Sequence, residues 1–278
     1  MKTINLIYCL LLVGFVSTGL LAQSPTEVAG ASDRLVEPFQ IVGNIYFVGP
    51  EAAHSSFLIT SPEGHILINS GFERQVPTIR ESIEKLGFDF SDIRIVLGSH
   101  AHRDHQEGDA QVKLLSGAQV MAMAEDVPWL EELRPDDKPH PIDRVLHDKD
   151  TVQLGGVTLT ALLTAGHTPG CTTYTTEVED EGRTYDVVIG CGWGAAGRDM
   201  SEYPNKVNDY RRSYQVAKTL SADVFLGSHG HHWGLLDKLS RRGQGSNPFI
   251  DVTTLPDHVV EYEKQFQEEL AKQGVGAQ

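Results

Sequence analysis

Four residues occur twice in this chain in the same kind of place: Leu97-Gly98-Ser99-His100 and Leu226-Gly227-Ser228-His229. Ahead of the first, Val76, Ile79, Ile83 and Leu86 recur at helical spacing, with Pro77 in the first turn and Gly87 as a stop, and an apolar strand over 93–97 follows. Ahead of the second, Val207, Tyr210, Tyr214 and Ala217 mark one helical face, and residues 224–226 form the next strand. Short β-branched and aromatic runs precede each helix: 41–48, 56–60 and 65–69 in the first half, and 157–163, 172–178 and 185–189 in the second. A four-residue match alone is weak. The same match closing two equivalent helix-then-strand units reads as an internal duplication. Two β-rich layers with helices outside them predict an α/β (α+β) fold, a four-layer αββα sandwich, with His100 and His229 at strand ends on one rim.

The N-terminus has the pattern of a secretory signal. Met1-Lys2-Thr3 precedes an apolar stretch over 4–16, small residues at 17–19, and Leu20-Leu21-Ala22, so residues 1–22 are expected to be removed, with cleavage after 19 or 22. The apolar stretch is too short to span a bilayer. Residues 23–278 are therefore expected to form a single soluble domain, periplasmic or secreted, that is free of the membrane after processing and monomeric. Cys9 leaves with the signal, so the mature chain keeps Cys171 and Cys191. Formal charge is −15, and the only adjacent basic pairs are Arg211-Arg212 and Arg241-Arg242, which argues against a nucleic-acid partner. Residues 127–141, with Pro128, Pro135, Pro139 and Pro141, read as a long surface loop near the rim, and 255–270 as a terminal helix packing through Val259, Tyr262 and Phe266.

Twelve histidines are present, and an isolated one is more often a surface or hydrogen-bonded core residue than a ligand, so spacing carries the argument. In the run His100-Ala101-His102-Arg103-Asp104-His105, an extended backbone turns His100, His102 and Asp104 to one side, and His105 joins them only if the chain turns there. The helical pattern over 109–115 makes such a turn plausible. A second site is His167, held in the tight turn Gly166-His167-Thr168-Pro169-Gly170, and a third is His229. Together these six residues supply two sets of three. Catalytic zinc sites keep a position open in this way, whereas structural sites are closed by four protein ligands. His231 and His232 lie close enough to His229 to line the same rim. His54, His65, His140, His147 and His258 have no partner spacing and are read as ordinary histidines; Trp129 and Trp233 are read as anchors in segments near the rim.

With these motifs the chain resembles the metallo-β-lactamase superfamily over nearly all of its mature length. The segment Asn247-Pro248-Phe249-Ile250-Asp251 and the strands over 41–69 are similar to subclass B3 in particular. The resemblance implies two Zn2+ ions, the first held by His100, His102 and His167, the second by Asp104, His105 and His229. It also implies hydrolysis of the β-lactam amide in penicillins, cephalosporins and carbapenems, hence antibiotic resistance, by water activated between the metals and oriented by Asp104.

The substrate carboxylate needs a donor. Relatives largely use serine or threonine near the end of the strand before the second-half helix, yet Gly190-Cys191-Gly192-Trp193-Gly194 carries no hydroxyl. Arg103, Ser228 and Trp193 are the candidates for substrate binding. Cys191 is a possible alternate zinc ligand, because other subclasses use a cysteine at about this position. A Cys171–Cys191 disulfide is open to an exported protein, but free buried thiols are expected. Two other readings stand beside the lactamase. One is a lactone or thioester hydrolase of the same fold, which the absence of a metal-bridging aspartate in 190–194 disfavours. The other is a non-catalytic zinc protein, which the incomplete sets of three disfavour.

Overall fold

The computed structural model describes residues 34–134 and 137–275. The stretch read as an export signal, residues 1–22, lies outside them, as does Pro135.

The first half builds a seven-stranded sheet. Strands β1 (Phe39–Val42), β2 (Ile45–Phe47), β3 (Phe57–Ser61) and β4 (Gly64–Ile68) pair antiparallel in chain order. Helix α1 (Val76–Lys85) then carries the chain across, so that β5 (Ile93–Leu97) joins β4 in parallel, followed in parallel by β6 (Gln119–Met123) and β7 (Arg144–Leu146). The second half follows the same plan. Strands β8 (Asp150–Leu154), β9 (Val157–Leu163), β10 (Thr172–Asp180) and β11 (Arg183–Gly190) are antiparallel, α5 (Lys206–Ala217) crosses over, and β12 (Val224–Gly227) pairs in parallel with β11. Both Gly-Ser-His endings therefore sit at the carboxyl end of the first parallel strand after a crossover helix, as the duplication requires.

Alternation along β4 and β5 separates the layers. Ile66, Ile68 and Leu97 face the shared core with Tyr174, Val188 and Leu226 of the second sheet. Leu67 and Val96 point the other way, onto Ile79 and Ile83 of α1 and Val112 of α3 (Asp109–Ser116). On the far side Tyr210 and Tyr214 of α5 meet Phe266 of α7 (Thr254–Gln273), with the Tyr210 and Phe266 rings 5.0 Å apart. Each such side chain, fully buried, contributes about 1.5–3 kcal/mol. The architecture is thus the four-layer αββα sandwich. Among the described residues, no helix is long and apolar enough to cross a membrane.

Several elements differ from expectation. The run over 41–48 is a hairpin rather than one strand: the chain reverses at Gly43, whose φ is +47° and where a Cβ would lie 2.3 Å from the Val178 side chain. The stretch over 127–141 is not all loop, since Val127-Pro128 opens α4 (Val127–Glu132), with proline in a first turn that lacks N–H partners anyway. Strand β6 was hidden because Gln-Val-Met-Ala-Met shows no polar alternation; it is a central strand covered on both faces. The cysteines are not free. Cys171 and Cys191 form a disulfide, Cα atoms 5.7 Å apart, with both residues buried. The hairpin turns on Glu181-Gly182, with Asp180 opposite Arg183, so the two cysteines fall just beyond the ladder rather than facing each other within it.

Candidate metal centre

The carboxyl end of β5 is held in place before it delivers any ligand. Asn69, in the left-handed region at φ 63°, accepts from Ser99 N through Oδ1 (2.8 Å) and donates through Nδ2 to Ser55 O (3.0 Å). Tyr174 Oη donates to Gly98 O (2.9 Å), and the Gln106 side chain packs directly on Gly98, where a Cβ would sit 2.0 Å from it. The extended backbone lasts only to His102 (φ −102°, ψ 153°), after which α2 (Arg103–Gln106) begins. The chain therefore turns two residues earlier than strand alternation suggests. Asp104 and His105 reach the site from a helical turn, while Arg103 is thrown outward, its side chain 70% exposed and paired with Glu107.

His100, His102 and His167 offer ring nitrogens that all lie within 4.8 Å of one another. Gly166 (φ +141°) packs under the Tyr210 ring, where a Cβ would approach to 2.6 Å, and this fixes the turn that carries His167. His167 Nδ1 donates to Gly194 O (3.1 Å), which leaves Nε2 facing the group. One buried carboxylate joins the two ligand loops. Asp126 accepts from Ala101 N (2.8 Å), between His100 and His102, and from Thr168 Oγ1 (2.8 Å) and Gly170 N (2.6 Å), on either side of Pro169.

A second group lies beside the first: His54, Asp104 and His229 offer donors within 4.8 Å of one another. Asp104 Oδ2 stands 3.2 Å from His105 Nε2, 3.5 Å from His54 Nε2 and 3.8 Å from His229 Nε2. His229 Nδ1 donates to Ala53 O (2.8 Å), again leaving Nε2 turned inward.

These groups are electrostatically prepared to bind cations. Burial first, then the neighbouring His105 and His167, pushes His100 well below the ordinary histidine range. Burial and Arg198 bring His102 down to about 4, and burial and His105 bring His229 down to about 3. The rings are thus neutral at pH 7, with lone pairs available. Burial alone would raise the Asp104 carboxyl, but His105, His229 and His54 more than offset it and hold it well below the usual carboxylate range. The donor set fits a metal on a further count: among the described residues His100 Nε2 is buried with no hydrogen-bond partner, a costly state for a polar atom unless something else satisfies it.

Other sequence candidates fare differently. Trp193 is 1% exposed and stacks on Phe225, so it is a core residue and not a substrate platform. Ser228 is likewise 1% exposed, sunk beneath Gly192, and out of reach of a ligand. Cys191 has its sulfur in the disulfide and cannot act as a thiolate ligand. Three residues that spacing leaves unmarked stand at the site. His54, expected to be an ordinary histidine, instead belongs to the second group. Asp126 gave no signal because most of its partners are backbone amides. Arg198 places Nη2 2.9 Å from His167 Nε2, held there by α7: Glu269 accepts from Gly197 N (3.0 Å), while Gln273 accepts from Met200 N (2.9 Å) and donates to Arg198 O (2.6 Å). A metal on His167 requires that guanidinium to withdraw. Trp129 of α4 borders the site with its ring 6.4 Å from that of His102.

The family model of the metallo-β-lactamase superfamily matches residues 49–229, which include every residue of both donor groups. The chain belongs to the metallo-β-lactamase superfamily. Among solved structures it is similar to the native FEZ-1 metallo-β-lactamase from Legionella gormanii, at 39% identity over 88% of this chain and 99% of that one, TM-score 0.83. It is also similar to BJP-1, a subclass B3 metallo-β-lactamase of Bradyrhizobium japonicum, at 33% identity over 89% of this chain and 98% of that one, TM-score 0.82. A curated relative, the hydroxyacylglutathione hydrolase of Hyphomonas neptunium (strain ATCC 15444), is 31% identical over 111 residues, a match that spans 39% of each chain. The superfamily placement makes the protein a hydrolase, with structural neighbours in subclass B3.

Proposed function

We propose that the protein is an exported, monomeric, two-zinc enzyme that hydrolyses the β-lactam amide bond of penicillins, cephalosporins and carbapenems and so confers antibiotic resistance. In this reading residues 1–22 are the export signal and 23–278 a single domain. The observation that carries it is the pair of adjacent, incomplete donor groups on one rim, in a chain similar to metallo-β-lactamases across their whole length. The first of them, three imidazoles with a position left open, is the arrangement of a catalytic rather than a structural zinc.

His100, His102 and His167 would hold the first ion, and Asp104, His105 and His229 the second. Zinc held there would supply Lewis acidity and make water nucleophilic near neutral pH. The chain's own groups do the rest. Asp104 Oδ2, facing three imidazoles and held ionised, accepts a hydrogen bond from the attacking water and so orients it. As the carbon–oxygen bond forms and the ring carbon–nitrogen bond breaks, the water's proton leaves to solvent and the departing nitrogen takes one from solvent. Arg198 is the cation nearest the first group and pairs with the substrate carboxylate once it leaves His167. It takes over a task for which residues 190–194 have no hydroxyl.

The partial likeness to hydroxyacylglutathione hydrolase favours thioester or lactone hydrolysis as a second reading. An assay of the mature protein on a carbapenem, a cephalosporin, a lactone and a thioester, with and without chelator, separates the two. Chelator-sensitive β-lactam turnover is expected. Turnover of lactone or thioester without β-lactam would overturn the substrate assignment.

A further inference from the structure

We propose that His54 is a metal ligand through Nε2, so that the second ion is held by four protein side chains: His54, Asp104, His105 and His229. The proposal rests on the two-metal reading above and is independent of the substrate.

The ring is aimed and fixed. Its Nδ1 lies 3.1 Å from Glu51 Oε1, and that same oxygen accepts from Gln75 Nε2 (2.6 Å). A carboxylate holding the outer nitrogen is the arrangement that fixes the tautomer of a ligating histidine and leaves its inner lone pair for the metal. That inner nitrogen points at Asp104 Oδ2, 3.5 Å away, and Phe72 packs edge-on against the ring with centroids 5.4 Å apart.

The loop that carries His54 cannot drift from the loop that carries His229, because the two backbones are stitched on both sides of each histidine. Ser55 N donates to Ser228 O (2.9 Å) and Gly230 N to Ala52 O (3.2 Å), while the His229 ring itself donates to Ala53 O. The approach is so close that a Cβ on Gly230 would lie 2.3 Å from Ala52 O. His54 therefore presents its nitrogen to the same point as His229 without a conformational change. A fourth protein donor implies that the second ion is bound tightly and keeps fewer open positions than the first.

The test uses the mature full-length protein stripped of metal and refilled with zinc, and in parallel with cobalt, whose visible absorption reports its ligands. Wild type is expected to bind two ions. In His54→Ala and His54→Gln the second ion is expected to bind at least about 10-fold more weakly, with a changed cobalt spectrum, while the first binds as in wild type and certifies the fold. Glu51→Gln is expected to shift the second ion in the same direction by less. Both His54 variants binding two ions with wild-type affinity and an unchanged spectrum would overturn the proposal alone. A wild type that binds fewer than two ions would overturn the two-metal reading with it.

Discussion

Replacing Asp104 with alanine is expected to lower kcat/KM for a carbapenem by on the order of 10³-fold at saturating zinc, equivalent to about 4 kcal/mol of transition-state stabilisation. Two losses combine in that figure. The carboxylate is the centre of the second donor group, 3.5 Å from His54 Nε2 and 3.8 Å from His229 Nε2, with His105 Nε2 3.2 Å away, and in the proposed reaction it orients the attacking water. Asp104→Asn keeps the shape but not the charge, and should fall nearly as far. Zinc content is expected to drop from two ions to one in the alanine variant. Steady-state kinetics within tenfold of wild type would remove Asp104 from the reaction path.

Replacing Asp126 with alanine is expected to destabilise the fold by about 3–5 kcal/mol, because two buried amides and a hydroxyl, those of Ala101, Gly170 and Thr168, lose this shared acceptor together. For a domain of this size that is a fall of about 10 °C in Tm. The carboxyl is pushed up to about 6, chiefly by burial, with its three hydrogen bonds acting in the opposite direction. Since the folded form holds the proton more tightly than the ordinary value of 3.8, the stabilisation from protonating Asp126 is complete below about pH 4 and is lost as pH rises through 6. Thermal unfolding of the metal-free protein from pH 4 to 7 should show that component in wild type and not in Asp126→Asn. An Asp126→Ala variant that melts with wild type would show that the two ligand loops are held by something else.

Much of this organisation is written in the residues themselves. The repeated Leu-Gly-Ser-His endings place two sheets and their shared rim because a strand end after a crossover helix is a local pattern, repeated in sequence order. The run from His100 to His105 likewise concentrates four donors within six positions. What escaped is whatever depends on partners distant in sequence. His54 is a lone histidine in a loop, and only the stitching of Ser55 and Ala52 to the segment around His229 gives it meaning. Asp126 binds backbone N–H groups, which carry no residue identity. Arg198 stands in a glycine-rich turn whose position is set by Glu269 and Gln273 from the terminal helix. The disulfide turned on hairpin register: one residue of slip moves Cys171 and Cys191 from directly facing positions to positions offset by one, just past the strand ends.

The most direct test of the central claim is a zinc titration of the metal-free mature protein in which bound zinc and carbapenem hydrolysis are read on the same samples. No turnover is expected without metal, and turnover is expected to rise with added zinc until two ions are bound per chain. Hydrolysis by the metal-free protein, or two bound ions with no β-lactam turned over, would contradict that claim.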